Sequence, residues 1–116
     1  TSMRFFRKCT GRMERNNPLP LVITATALAE LEAIWRYSAQ TWGVAQADRY
    51  LSGLNASFGL LCEMPEIARV RSEFTKPTRV YRTGEHLIFY RVEDGALRVL
   101  RVLHARQNWQ RLFDPE

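Results

Sequence analysis

Asp94-Gly95 stands between two apolar runs, His86 to Val92 and Leu97 to His104. A two-residue loop of this type needs positive φ at both positions, which Gly adopts freely and Asp tolerates, and its twist matches that of the strands it joins. It therefore predicts an antiparallel hairpin. With Asp94 and Gly95 as the loop, Val92 faces Leu97, Tyr90 faces Val99, Ile88 faces Arg101 and His86 faces Leu103. The other face carries Phe89 with Leu100, Leu87 with Val102, and Arg91 opposite Arg98. Arg79 to Arg82 adds a third strand through the turn Thr83-Gly84-Glu85.

Both faces of this small sheet are apolar in the middle, so both need a cover. Upstream, the apolar period changes from two to helical spacing. Thr24 or Thr26 can cap a helix with Glu30 and Glu32 near its positive end. Leu28, Leu31, Ile34 and Trp35 then form a stripe that closes with Trp42 before Gly43. A second helix from about Ala45 carries Ala47, Tyr50, Leu51, Leu54, Phe58, Leu61 and Cys62 on one face and stops at Met64-Pro65. The short Gly43-Val44 link makes the two helices antiparallel neighbours. Leu31, Ile34, Trp35, Trp42, Tyr50, Leu54 and Phe58 are the expected core positions.

A helical hairpin covers one face of the sheet only. Either the C-terminal segment Ala105 to Phe113, with Trp109, Leu112 and Phe113, folds over the other face, or that face is left for a partner. Leu19 to Thr24 reads as an opening strand, with Pro20 confined to its start or an edge. Pro65 to Pro77 has no clean period and reads as a loop or a poorly formed strand. The expected fold is α+β: an N-terminal strand, an α-helical hairpin and a three-stranded antiparallel sheet, in the order β-α-α-β-β-β.

The 116 residues fit one compact domain. No run approaches the ~18 apolar residues of a membrane-spanning helix, and no signal-peptide core is evident near Phe5 and Phe6. Cys9 and Cys62 belong to no CxxC pair, and His86 and His104 are the two histidines. This is too little for a zinc cage or disulfide framework, so neither metal nor cofactor is expected and the reading is cytoplasmic.

Of the net charge of +5, residues 1 to 20 hold +4, through Arg4, Arg7, Lys8, Arg12 and Arg15 against Glu14. The remainder, up to residue 113 and beyond, is nearly balanced. The boundaries expected are a basic extension over 1–20 and the folded domain over 21–113. The extension is a solvated or upstream segment, favoured by the opening Thr-Ser-Met, or an arm that steers toward nucleic acid or an acidic protein. No direct sequence-specific nucleic-acid binding is expected.

The motif Ala27-x-x-Glu30-Leu31-x-x-Ile34-Trp35-x-Tyr37 continues into Trp42-Gly43-x-x-Gln46-Ala47-x-x-Tyr50. Further on come Pro65, Arg79, Gly84-x-His86-x-Ile88-Phe89-Tyr90-Arg91 and Arg101-Val102-Leu103-His104. From about Leu21 to Trp109 this order resembles the ParE branch of the RelE/ParE superfamily of type II toxins. Departures are Ala68, Pro77-Thr78 and Gln107, where the family often has Gly, Gly plus an aromatic, and Met. The resemblance implies a toxin that binds DNA gyrase, stabilises the cleaved-DNA state and supports plasmid stabilisation. It also implies a hetero-oligomer with a ParD-like antitoxin, whose C-terminal segment docks by helix-in-groove and strand addition.

The expected target- or antitoxin-binding residues are Arg79, Leu87, Phe89, Arg91, Arg98, Leu100, Arg101, His104 and Arg106. Like charges opposed across a hairpin are unfavourable, so an anion is expected at Arg91 and Arg98: an antitoxin carboxylate, Asp114, Glu116 or the target. The alternative is a RelE-like, ribosome-dependent mRNA endonuclease. There Arg79, Arg82, Arg101 and Arg106 would hold phosphate and His104 would move a proton. That acid/base pair is incomplete, because no Tyr follows His104 and Lys76 is the one lysine after residue 20. His104, near Glu85, reads first as a structural hydrogen-bonding group, and His86 likewise on the other strand face.

Overall fold

The computed structural model describes residues 18–108. Thr24 ends strand β1 (Leu21–Ile23) and caps helix α1 (Ala25–Trp42), its hydroxyl accepting the Ala27 N–H at 3.1 Å. A cap of this kind is worth about 1 kcal/mol. Gly43, at φ 100°, reverses the chain into α2 (Val44–Glu63). A 3₁₀ turn (Pro65–Ile67) and a two-residue strand β2 (Val70–Arg71) follow. The meander β3 (Thr78–Thr83), β4 (His86–Glu93) and β5 (Ala96–His104) follows.

All five strands form one sheet in the order β1-β5-β4-β3-β2. The three-stranded antiparallel meander is present as expected. Two strands extend it: β1 runs parallel to β5, and the two-residue β2, inside the stretch expected as a loop or a poorly formed strand, pairs with β3. Asp94 and Gly95 both have positive φ, 54° and 73°, as a two-residue hairpin turn requires.

The helical hairpin packs one face of the sheet. Leu31 of α1 and Leu51, Leu54, Phe58 and Leu61 of α2 bury fully against Ile88, Tyr90, Leu97, Val99 and Val102. Ile34, Trp35 and Tyr50 are half-buried at the border of this core, and Trp35 Nε1 donates to Asp48 Oδ1 at 2.9 Å, tying α1 to α2. Cys62 is buried in the same cluster. The opposite face holds Phe89 and Leu103, with Phe74, Val80, Leu87 and Leu100 packed around them.

Three expectations about packing are corrected. Trp42 is not a core residue: it is 62% exposed at the tip of the helical hairpin, beyond the sheet, and meets Tyr37 edge-on at 5.9 Å. Phe89 is not a surface residue: it is fully buried, with the Phe74 ring edge-on at 6.2 Å. Glu30 does not act on the α1 dipole, because it lies past the first turn and reaches β5 instead. The C-terminal segment from Trp109 and the extension as far as Asn17 lie outside the described residues, and the expected cover of the second face by Trp109, Leu112 and Phe113 lies outside them too.

The hairpin register follows the sequence reading only near the turn. Val92–Leu97, Arg91–Arg98 and Tyr90–Val99 pair as expected. Beyond them a β-bulge leaves Leu100 without an opposing residue, and the pairs become Phe89–Arg101, Ile88–Val102, Leu87–Leu103 and His86–His104. The expected partners Ile88–Arg101, His86–Leu103, Phe89–Leu100 and Leu87–Val102 are each wrong by one. Because side chains alternate with period two, the slip turns Val102 toward the helices and Leu103 away from them.

Candidate binding groove

The bulge brings His104 onto the same face as His86. Their rings meet edge-on, centroids 5.1 Å apart, where the sequence reading put them on opposite faces with His104 across from Glu85. Glu85 sits one step further along, its carbonyl accepting the Ala105 N–H at 2.9 Å. Tyr50 rises from α2 to meet this pair. Its hydroxyl accepts the Glu85 N–H at 3.0 Å, so its own proton points to His86 Nδ1, 2.7 Å away. His86 Nδ1 is then an acceptor, and the ring carries its proton on Nε2.

This arrangement favours neutral groups. Burial first, then the neighbouring His104, brings the His86 pKa down to about 4. Burial likewise raises the Tyr50 phenol. His104 is held by its backbone and by two neighbours: its N–H donates to Gln107 Oε1 and its Nδ1 accepts the Arg106 N–H, both at 3.0 Å. Gly84 makes room for Tyr50. At φ +60°, a Cβ there would stand 2.8 Å from the Tyr50 hydroxyl.

Tyr50, His86 and His104 form the floor of a groove of about 870 Å³. Ile34, Tyr37 and Ser38 of α1 line one wall, and Trp42, Gln46 and Arg49 extend it across the hairpin tip. Tyr37 and Trp42 are each 62% exposed. The lining is mainly apolar with a few polar groups at its margin, the composition of a site that takes part of another molecule. Sequence reasoning missed Tyr37, Gln46 and Arg49 as site residues and placed Trp42 and Tyr50 in the core. The available signal was Trp42 directly before the Gly43 reversal, where a helix outruns the sheet it packs on.

The expected site residues are divided by the sheet. Leu87, Leu100, Arg91 and Arg98 lie on the face away from the helices, with Phe89 buried among them. Arg91 has its anion inside the chain: Nη1 lies 3.7 Å from Glu93 Oε2, and Nε donates to Thr78 Oγ1 at 3.1 Å. Arg98 is exposed. Arg79, paired with Tyr90, is on the helix side and donates to the Ala68 carbonyl. Arg82, paired with Leu87, is on the far side and donates to the Gly84 carbonyl at 3.0 Å. Arg101 binds Glu30 through Nη2 at 2.6 Å and Nε at 2.8 Å, and Arg106 is exposed past the end of β5.

No group of three or more His, Cys, Asp or Glu side chains among the described residues is placed to hold a metal ion. No helix among them is long and apolar enough to cross a membrane. The fold is that of a small α+β protein of the RelE/ParE kind, with an apolar-lined groove between α1, α2 and the ends of β4 and β5. The chain belongs to the ParE toxin family of type II toxin–antitoxin systems (parDE), whose pattern matches residues 21–109. It is 36% identical over 91 residues to Toxin ParE1 of Mycobacterium tuberculosis, covering 78% of this chain and 93% of that protein. Toxin ParE1 of Caulobacter vibrioides is 35% identical over 89 residues, covering 77% and 92%. A solved structure of the chromosomal ParDE TA system from P. aeruginosa shares the fold, with a TM-score of 0.67 and 19% identity, covering 78% of this chain and all of that one.

Proposed function

We propose that this toxin acts by binding: it engages DNA gyrase, stabilises the cleaved-DNA complex and blocks replication, and a ParD-like antitoxin neutralises it. Family membership supports the gyrase target and the antitoxin. The observation that carries the binding mode is the groove, where Tyr37 and Trp42 leave large aromatic surface in solvent beside a neutral Tyr50–His86 pair. An apolar segment of the antitoxin laid across it would cover those rings, with Arg49 at the margin for a carboxylate. Among the described residues β2 is the last strand of the sheet beyond β3, and that end of the sheet offers a place for strand addition.

The ribonuclease alternative needs Arg79, Arg82, His104 and Arg106 around one phosphate. Arg79 pairs with Tyr90 and His104 with His86, which separates them by four residues, roughly 13 Å of strand. Arg82 projects from the opposite face. These positions do not surround one phosphate, which favours action by docking over cleavage.

Gyrase supercoiling and DNA-cleavage assays, run beside an in vitro translation assay, test the reading. Loss of supercoiling with accumulation of cleaved DNA, while translation continues, is the expected result. Message cleavage on ribosomes with gyrase untouched would overturn it.

A further inference from the structure

The hairpin has two registers open to it, and apolar pattern alone chooses poorly between them. Without the bulge, Arg101 and Leu103 would face the helices beside Leu97 and Val99, and Val102 and His104 would turn outward. With it, Val102 and His104 face inward and Leu103 outward. Either frame puts an aliphatic residue on each face, the situation in which register is weakly specified. What differs is the place of Arg101, and with it the composition of the groove.

Helix α1 reaches β5 at the bulge itself. Thr24 N–H donates to the Val99 carbonyl at 3.1 Å and Thr24 Oγ1 to the Leu100 carbonyl at 3.0 Å. Glu30 then takes the next two residues. Oε1 accepts the Val102 backbone N–H at 2.8 Å, while Oε2 meets Arg101 Nε at 2.8 Å and Nη2 at 2.6 Å. One carboxylate thus satisfies a main-chain donor of β5 past the last β1–β5 pair, Ile23–Val99, and a cation the other frame would push against Ile88, which is fully buried. Both partners are largely shielded, with side-chain exposures of 22% for Arg101 and 19% for Glu30, so solvent replaces these bonds poorly.

We propose that Glu30 is a positioning residue that selects the bulged register of β5 and thereby turns His104 into the groove beside His86. The role goes beyond that of a stabilising ion pair, because it decides which residues the groove presents. It does not depend on which partner the groove receives.

Cross-strand nuclear Overhauser contacts in the full chain test it, comparing the native protein with Glu30→Ala and Glu30→Gln. The native chain shows His86–His104 and Ile88–Val102 contacts. In Glu30→Ala these weaken or double, and His86–Leu103 and Ile88–Arg101 contacts appear, while Tyr90–Val99 and Val92–Leu97 on the turn side persist. In Glu30→Gln, which keeps one acceptor for the Val102 N–H, the native contacts remain but residues 100–104 broaden by exchange. A simple stabilising pair would lower the melting temperature and leave every contact in place. An unchanged, unbroadened contact set in both variants overturns the proposal. If Glu30→Ala does not fold, an unbroadened native set in Glu30→Gln overturns it equally.

Discussion

Tyr50 and His86 share a 2.7 Å hydrogen bond that joins α2 to the start of β4 and makes His86 Nδ1 an acceptor. A protonated His86 could not accept it. The bond and the burial of the ring therefore act in the same direction, holding the imidazole neutral well below its usual range.

The fold should consequently weaken in mild acid. In the unfolded chain His86 takes up its proton near pH 6.5, and in the folded chain near pH 4. Between these values the unfolded state binds more protons, so the contribution is complete above pH 6.5 and is lost as pH falls toward 4. Solvent around the half-buried ring screens part of the effect, leaving about 2 kcal/mol. Urea unfolding across this range checks it against His86→Asn, which keeps an acceptor near Nδ1 but does not titrate. A native pH slope equal to that of the variant would show that His86 is not the source.

Gly84→Ala should cost about 1–3 kcal/mol, since the φ of +60° is strained for alanine and the new Cβ would stand 2.8 Å from the Tyr50 hydroxyl. Chemical denaturation measures the loss. A change under a few tenths of a kcal/mol would mean that Tyr50 moves aside without penalty.

Trp42→Ala should leave stability within about 0.5 kcal/mol of native, because the ring is mostly in solvent. The same change should weaken association with the ParD-like antitoxin by about 2 kcal/mol if the groove is the docking surface. Calorimetry giving native affinity for Trp42→Ala would move the docking surface away from the hairpin tip.

On the far face of the sheet, Phe89 and Leu87 should separate stability from binding. Phe89→Ala removes a fully buried ring and should destabilise by about 3–5 kcal/mol. Leu87 is half-buried, and Leu87→Asp should preserve the fold while weakening antitoxin binding by about 2 kcal/mol if that face is an interface. Native affinity for Leu87→Asp would remove this face from the interface.

The sequence by itself determined the elements and their order. Helical spacing from Leu28 to Cys62, the Gly43 reversal, and Asp94-Gly95 between alternating runs are local signals, each set by the conformational preferences of a few neighbouring residues. They sufficed for both helices, for the meander and for pairing near the turn. The motif order also carried the family.

What local pattern could not reach was the register beyond Tyr90, because a bulge there depends on Glu30, 71 residues away from Arg101. That one contact moved His104 across the sheet and made the groove floor. Exposure at the tip was equally out of reach. Trp42 keeps helical phase with the core residues, yet whether a sheet lies beneath it is a matter of how far α1 extends past β4 and β5. Tertiary structure decided both, since register and cover are set by contacts between segments far apart in the chain, and periodicity reports only on near neighbours.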